Sequence, residues 1–284
     1  MPWRNGRSFQ NKAAMTQTAP EVIEVKLSWE EDIALLTICN LARRNALSDE
    51  VNRDLLRHLA ELIANPRCRA IVLSGDGGIF CAGGDVKAMA RRAAAAEPSF
   101  VALRMRFTTL YHPMIRMMVE GPKPIVSAVE GVAYGGGLAL ACAADYTVAA
   151  RNTRWCAAQI LRGVCPDVAL YYLLTARTGP GRARDLLLSG RVFEATDAER
   201  WGIAHELTEP GATLATALQV ARRFAAVPPL ALALTKAAMT HSYQTLEACF
   251  RAEQDYQSVV GLSKDHQESV AAFLEKRKPV YTGQ

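Results

Sequence analysis

Two short β-rich apolar runs constrain this chain most: Ala70-Ile71-Val72-Leu73 and Pro124-Ile125-Val126-Ser127-Ala128-Val129. Each follows a helical stretch, and each runs into a glycine-rich turn with another helix behind it. A run that short and apolar, without alternation, reads as a strand buried on both faces. Strands separated by helices argue for βαβ units and parallel pairing. The fold class expected is therefore α/β.

Other elements fit around these units. Residues 22–27 and Ile33-Ala34-Leu35-Leu36-Thr37-Ile38 flank the polar Trp29-Glu30-Glu31-Asp32, as two hairpin strands flank a turn. Ser48 is a good N-cap, and Leu55, Leu56, Leu59, Leu62 and Ile63 recur at helical spacing up to Asn65-Pro66. A long helix is expected from about Phe100 to Val119. After Trp155 the pattern becomes mainly helical, through residues 169–178, 181–188 and 215–225, and residues 229–276 are long amphipathic stretches. The organisation expected is a disordered leader over residues 1–20, with Met15 as an alternative start, a core over 21–210 and a helical region over 211–284.

Composition narrows the function classes. Half of the 284 residues are apolar and 21% are charged, the usage of an ordinary cytoplasmic enzyme. The formal charge of +5 is scattered instead of gathered into a stripe with interleaved aromatics, which argues against nucleic acid. A small polyanionic ligand suits it better, since a few Arg and Lys at one site suffice. No apolar run reaches the roughly 18 to 20 residues that span a bilayer, so no membrane is expected. The seven cysteines are odd in number and contain no C-x-x-C pair, and the five histidines are far apart. Reduced core thiols and no metal site are expected.

The two turns carry the chemistry. In Phe80-Cys81-Ala82-Gly83-Gly84-Asp85-Val86-Lys87 a glycine pair precedes a helix whose expected N-cap is Asp85. In Gly131-Val132-Ala133-Tyr134-Gly135-Gly136-Gly137-Leu138 three glycines precede the next helix. Taken singly, each turn reads as a cap or as tight packing. Taken together, they can point two backbone N–H donors at one atom, aided by a helix dipole.

These residues resemble the crotonase (enoyl-CoA hydratase/isomerase) superfamily. The likeness covers nearly the whole chain from about residue 23 and rests on Arg43-Arg44-Asn45-Ala46-Leu47, Ala82-Gly83-Gly84-Asp85, Pro122-Lys123-Pro124-Ile125, Gly135-Gly136-Gly137 and the tail Ala272-Phe273-Leu274-Glu275-Lys276-Arg277-Lys278-Pro279. It implies a spiral of repeated ββα units, a helical C-terminal region used in trimerisation, and a homotrimer or dimer of trimers. It implies an acyl-CoA thioester substrate with no further cofactor, coenzyme A being part of that substrate. By the same likeness Gly84 and Gly136 are the oxyanion donors. Arg43, Ala46, Ala82 and Lys87 border the coenzyme A moiety, Lys276 is a basic position able to meet a phosphate, and residues 90–114 border the acyl pocket.

The departures are as informative. The two glutamates that hydratases of the family use are replaced by Ala139 and by Gln159, whose amide exchanges no proton usefully near neutral pH. Asp167, in Gly163-Val164-Cys165-Pro166-Asp167-Val168-Ala169, resembles the acid of the enoyl-CoA isomerases, including those acting on ring-epoxidised phenylacetyl-CoA. It also reads as the N-cap of a helix starting at Val168. Val164, Val168 and Tyr171 suggest an apolar setting that would raise its pKa. The function expected is double-bond migration in an enoyl-CoA with Asp167 as proton shuttle. Two alternatives stand beside it. In one, Asp167 is a nucleophile and His112 a base, as the resemblance to 4-chlorobenzoyl-CoA dehalogenases implies, giving a hydrolase or dehalogenase. In the other, the chain is a non-catalytic acyl-CoA-binding scaffold.

Overall fold

The computed structural model describes residues 24–94, 99–241 and 245–284. The leader expected over residues 1–20 and the start of the first strand at residue 22 lie outside the described residues.

A hairpin opens the fold. Strands β1 (Glu24–Glu30) and β2 (Ile33–Cys39) pair antiparallel in the register Glu24↔Cys39 to Glu30↔Ile33. The helix α1 (Asp49–Ala64) follows, and Ser48 caps it by accepting from the Val51 N–H at 3.3 Å. Next come β3 (Ala70–Gly75), α2 (Val86–Ala93), α3 (Phe100–Arg106) and α4 (His112–Glu120), with a π-helical turn over Phe107–Tyr111 joining the last two. The chain continues through β4 (Ile125–Val129), β5 (Val132–Tyr134), α5 (Gly136–Ala143), β6 (Tyr146–Ala150) and β7 (Arg154–Cys156). It ends with α6 (Leu170–Ser189), β8 (Val192–Glu194), α7 (Ala195–Arg200), β9 (Glu206–Thr208), α8 (Thr213–Ala225), α9 (Pro229–His241), α10 (Leu246–Gly261) and α11 (Lys264–Glu275).

The large sheet has the order β1-β2-β3-β4-β6-β9, parallel from β2 onward. A smaller sheet runs β5-β7-β8 and is lengthened by the parallel bridge Cys81↔Ala133. Each turn of the chain thus gives one strand to the large sheet, one short strand or bridge to the small one, and then a helix. The sets are β3, Cys81 and α2; β4, β5 and α5; β6, β7 and α6. This is the expected ββα repeat. Burial explains the apolar strand runs: every residue of β4 is buried, because helices cover both faces.

The helix α8 lies on β3, β4 and β6, where Ala217, Val220 and Ala221 close a second core with Val72, Val126 and Val148. The helical region that begins at residue 211 therefore contributes its first helix to the core. The α6 helix bends at Gly179 (φ 73, ψ 162) ahead of Pro180, at the break between the expected segments 169–178 and 181–188. Five cysteines are buried, whereas Cys165 is exposed and Cys249 half-exposed.

Interlocked glycines hold the two turns together. A Cβ on Gly83 (φ 93) would lie 2.7 Å from the Tyr134 carbonyl oxygen, and one on Gly137 would lie 2.4 Å from the Cys81 carbonyl oxygen. That second oxygen accepts from Tyr134 N at 3.0 Å, so it has no room to retreat. Gly137→Ala is expected to cost about 3 kcal/mol by overpacking, read as a fall in the urea midpoint. Gly181→Ala, whose Cβ meets nothing within 4 Å, should leave the midpoint unchanged or higher.

Candidate active site

Around the first turn, the loop before α1 is wound by Arg44 (φ 54) and Asn45 (φ 56), both left-handed. Asn45 tolerates that conformation better than most residues. Its side chain also anchors the loop, accepting from Asn40 N at 2.9 Å and donating to the carbonyls of Asp76 and Ile79. The loop then runs beside the turn, with Leu47 N donating to Gly83 O at 2.7 Å and Ala82 N to Arg44 O at 3.0 Å. Asp85 caps α2 by accepting from Ala88 N at 3.1 Å and meets Arg43 at 2.6 Å. Burial works against ionisation of Asp85, but the Ala88 N–H and the Arg43 guanidinium outweigh it and hold its pKa below the usual carboxylate range.

These anchors leave two amides unused. Gly136 is the first residue of α5, so its N–H has no intrahelical acceptor, and Gly84 sits at the Leu47 bridge immediately before α2. Among the described residues no acceptor takes either N–H. Gly135 (φ 51, ψ −113) makes the bend that delivers Gly136, a conformation an L side chain rarely adopts. Both glycines border one cavity of about 130 Å³.

Asp167 and Gln159 line that same cavity. Gln159 Nε2 donates to Asp167 Oδ1 at 3.1 Å, and a Cβ on Gly135 would touch the Gln159 amide at 3.5 Å. A Cβ on Gly136 would lie 3.9 Å from Val168. The carboxylate is therefore tied to the second glycine turn through two adjacent contacts. Burial raises the Asp167 pKa, against the lowering effect of the Gln159 amide and of its own backbone N–H.

Asp167 is not the N-cap of the following helix. Val168 (φ 54) and Ala169 (φ 59) are left-handed, Ala169 is the N-cap, and α6 starts at Leu170. Two consecutive left-handed residues without glycine store about 1–2 kcal/mol each, and Val is β-branched, which makes the conformation rarer still. That strain turns the chain sharply after Asp167, at the residue facing the cavity. Of the three expected apolar neighbours, Val168 is buried, whereas Val164 and Tyr171 are exposed.

Of the residues singled out in the sequence, Gly84, Gly136, Asp167, Gln159 and Ala82 share the cavity. Arg43 and buried Ala46 lie in the loop behind the first turn, and Lys87 is exposed on α2. Lys276 is the exposed, left-handed C-cap of α11 and does not line the cavity. His112 is exposed at the start of α4, its ring 5.8 Å from that of Phe107, and it does not line the cavity either; its neighbour Tyr111 does. Ala139 is fully buried inside α5.

Tyr111, Arg92, Arg162 and Asn52 also border the cavity, and the spacing of their helices gave no sign of it. Two of them, Arg92 and Tyr111, fall within residues 90–114, the stretch expected to face the acyl group. Among the described residues no cluster of three or more His, Cys, Asp or Glu can hold a metal ion, and no helix is long and apolar enough to cross a membrane.

The 1,2-epoxyphenylacetyl-CoA isomerase of Escherichia coli is 34% identical over 255 residues, which cover 89% of this chain and 96% of that protein. The 2,3-dehydroadipyl-CoA hydratase of the same organism is 29% identical over 266 residues, 92% of this chain and 99% of its own length. The crystal structure of an enoyl-CoA hydratase from a Polaromonas species superposes with a TM-score of 0.85 at 30% identity, covering 91% of this chain and 99% of that one. That of an enoyl-CoA hydratase from Mycobacterium tuberculosis gives 0.81 at 30% identity, covering 92% and 99%. A sequence model described as enoyl-CoA hydratase/isomerase matches residues 28–284. With interlocked glycine turns, two unused amides and the ββα spiral in place, the chain belongs to the enoyl-CoA hydratase/isomerase family and has the crotonase fold.

Proposed function

We propose that the protein is an enoyl-CoA isomerase that moves a double bond through an enolate. The observation that carries this reading is a cavity with two unused backbone donors and one carboxylate, Asp167, while the two hydratase glutamate positions hold Ala139 and Gln159. In a 3-enoyl-CoA, the Asp167 carboxylate takes a proton from C2. The electron pair left behind delocalises onto the thioester oxygen, where the Gly84 and Gly136 N–H groups stabilise it. The same carboxylic acid then returns the proton to C4, and the double bond lies between C2 and C3. No water takes part, so the lost glutamates are not missed. The burial that raises the pKa of Asp167 makes it a better base than an exposed aspartate.

His112 stands outside the cavity that holds Asp167, and this favours proton shuttling over a nucleophilic aspartate with a histidine base. Incubating the protein with a 3-enoyl-CoA should give the 2-enoyl product, followed by its ultraviolet absorbance, with less than one deuterium atom from heavy water entering each product molecule at C2 or C4. Incorporation of solvent oxygen-18 into Asp167 in a single turnover would instead establish the covalent route and remove this one. The expected assembly as a homotrimer or dimer of trimers is supported by the apolar groove between α9 and α10, which Leu234, Ala238, Met239 and Val260 line. Light scattering at micromolar concentration tests it.

A further inference from the structure

The cavity wall built by α2 and the helical stretch through α4 carries polar groups that the proton shuttle does not use. Tyr111 and Arg92 both line it. The Tyr111 phenol oxygen accepts a hydrogen bond from Arg106 Nη2 at 2.6 Å, and Arg106 in turn bridges both carboxylate oxygens of Asp49, in the first turn of α1. The hydrogen bonds that Arg106 donates to Asp49, and then its contact with Tyr111, raise the Arg106 pKa above the ordinary guanidinium value, so it stays charged.

This chain of contacts fixes the polarity of the phenol. A guanidinium only donates, so Tyr111 accepts from it and keeps its own hydrogen for another partner. Among the described residues no acceptor takes that hydrogen. The ring itself is held edge-on against Phe107, with centroids 5.4 Å apart. Arg92 lies 4.0 Å from the same Asp49 carboxylate that serves Arg106, so two guanidinium groups share one acid beside the cavity. A plain alkyl group bound against this wall would desolvate the phenol O–H and an incompletely paired cation without offering either an acceptor.

We infer that Tyr111 is a specificity residue, whose O–H, aimed by Arg106, donates to an oxygen atom carried by the acyl group. The substrate class is then an acyl-CoA with an oxo or carboxylate oxygen on its acyl chain. This inference rests on the cavity being the thioester site.

Calorimetric titration with three saturated five-carbon thioesters, which need no turnover, tests it: pentanoyl-CoA, 4-oxopentanoyl-CoA and glutaryl-CoA. The wild-type chain is expected to bind at least one of the oxygen-bearing pair about tenfold more tightly than pentanoyl-CoA. Tyr111→Phe, which keeps the ring against Phe107, should abolish that preference and leave pentanoyl-CoA within about twofold. A preference for glutaryl-CoA that Arg92→Gln also removes identifies the acceptor as a carboxylate. A preference for 4-oxopentanoyl-CoA that survives Arg92→Gln identifies it as a neutral oxygen. Equal wild-type affinities for all three, or an equal shift of all three in Tyr111→Phe, would overturn the assignment while leaving the thioester site intact. Failure of all three to bind would overturn the thioester reading itself, and this assignment with it.

Discussion

Asp167→Asn should lower kcat for conversion of a 3-enoyl-CoA to its 2-enoyl isomer by about a thousandfold, the usual order for loss of a positioned general base. The thioester KM should change little, because the two amides and the cavity walls are untouched. Asparagine is close in shape to aspartate, and its amide oxygen can still accept from Gln159 Nε2, which donates to Asp167 Oδ1 at 3.1 Å in the native chain. The substitution therefore removes the proton-carrying capacity and little else. Undiminished isomerisation by Asp167→Asn would take Asp167 out of the mechanism.

The same residue links activity to stability with opposite signs. Burial raises its pKa in the folded chain above the unfolded value. Such a group favours folding most below the unfolded pKa, and that contribution is lost as pH rises through the folded pKa. At neutral pH the ionised carboxylate is thus a cost to the fold, one that Asp167→Asn removes. The variant is expected to melt at a higher temperature than the native chain at pH 7, with the gap closing as pH falls below the unfolded value. The native kcat should fall over that same descent, because the base must be ionised, with an acid limb above the ordinary aspartate pKa. A variant that melts lower at pH 7 would mean that the native site stabilises the charge instead of tolerating it. Higher stability with lost catalysis is the trade expected at a strained, partly desolvated base.

The elements that build this site differ in how far the sequence announced them. The α1 helix was legible because Ser48 and a leucine periodicity act locally, and Asp85 because a capping carboxylate needs only its own next turn. The glycine turns were legible as a pair, since nothing but glycine allows a carbonyl within 2.4 Å of where a Cβ would stand. The strands β5, β7, β8 and β9 have three residues each, too few for any period to show, and only Ala144 and Asp145 separate β6 from the buried apolar helix before it. Their pairing is decided by contacts made after the chain folds back. The left-handed pair Val168 and Ala169 was hidden for a related reason: no glycine or asparagine marks it, and the surrounding packing imposes it against local preference. Tyr111 and Arg92 reach the cavity from helices whose spacing shows which face is buried but not which cavity that face borders.

Gly136→Pro should lower kcat by roughly a hundred- to a thousandfold while the chain remains folded, because it deletes one of the two amides that stabilise the enolate oxygen. Proline is tolerated at this place: Gly136 is the first residue of α5, where the N–H has no helical acceptor to lose. The preceding Gly135, at ψ −113, lies outside the helical region that a following proline disfavours. The proline Cβ would meet the Leu47 Cδ1 methyl at 2.7 Å, the far end of a flexible side chain. Gly136→Ala carries the same Cβ and the same contact with Leu47, yet keeps the N–H. Its kcat therefore measures the cost of the Cβ alone, and the ratio of alanine to proline variants reports the replacement of the N–H by the ring Cδ, which stands where the amide hydrogen pointed. A ratio near one, with both proteins folded by circular dichroism, would show that the Gly136 amide does not hold the charge that develops on the substrate. A ratio of a hundred or more would place the reacting thioester oxygen at the N-terminus of α5.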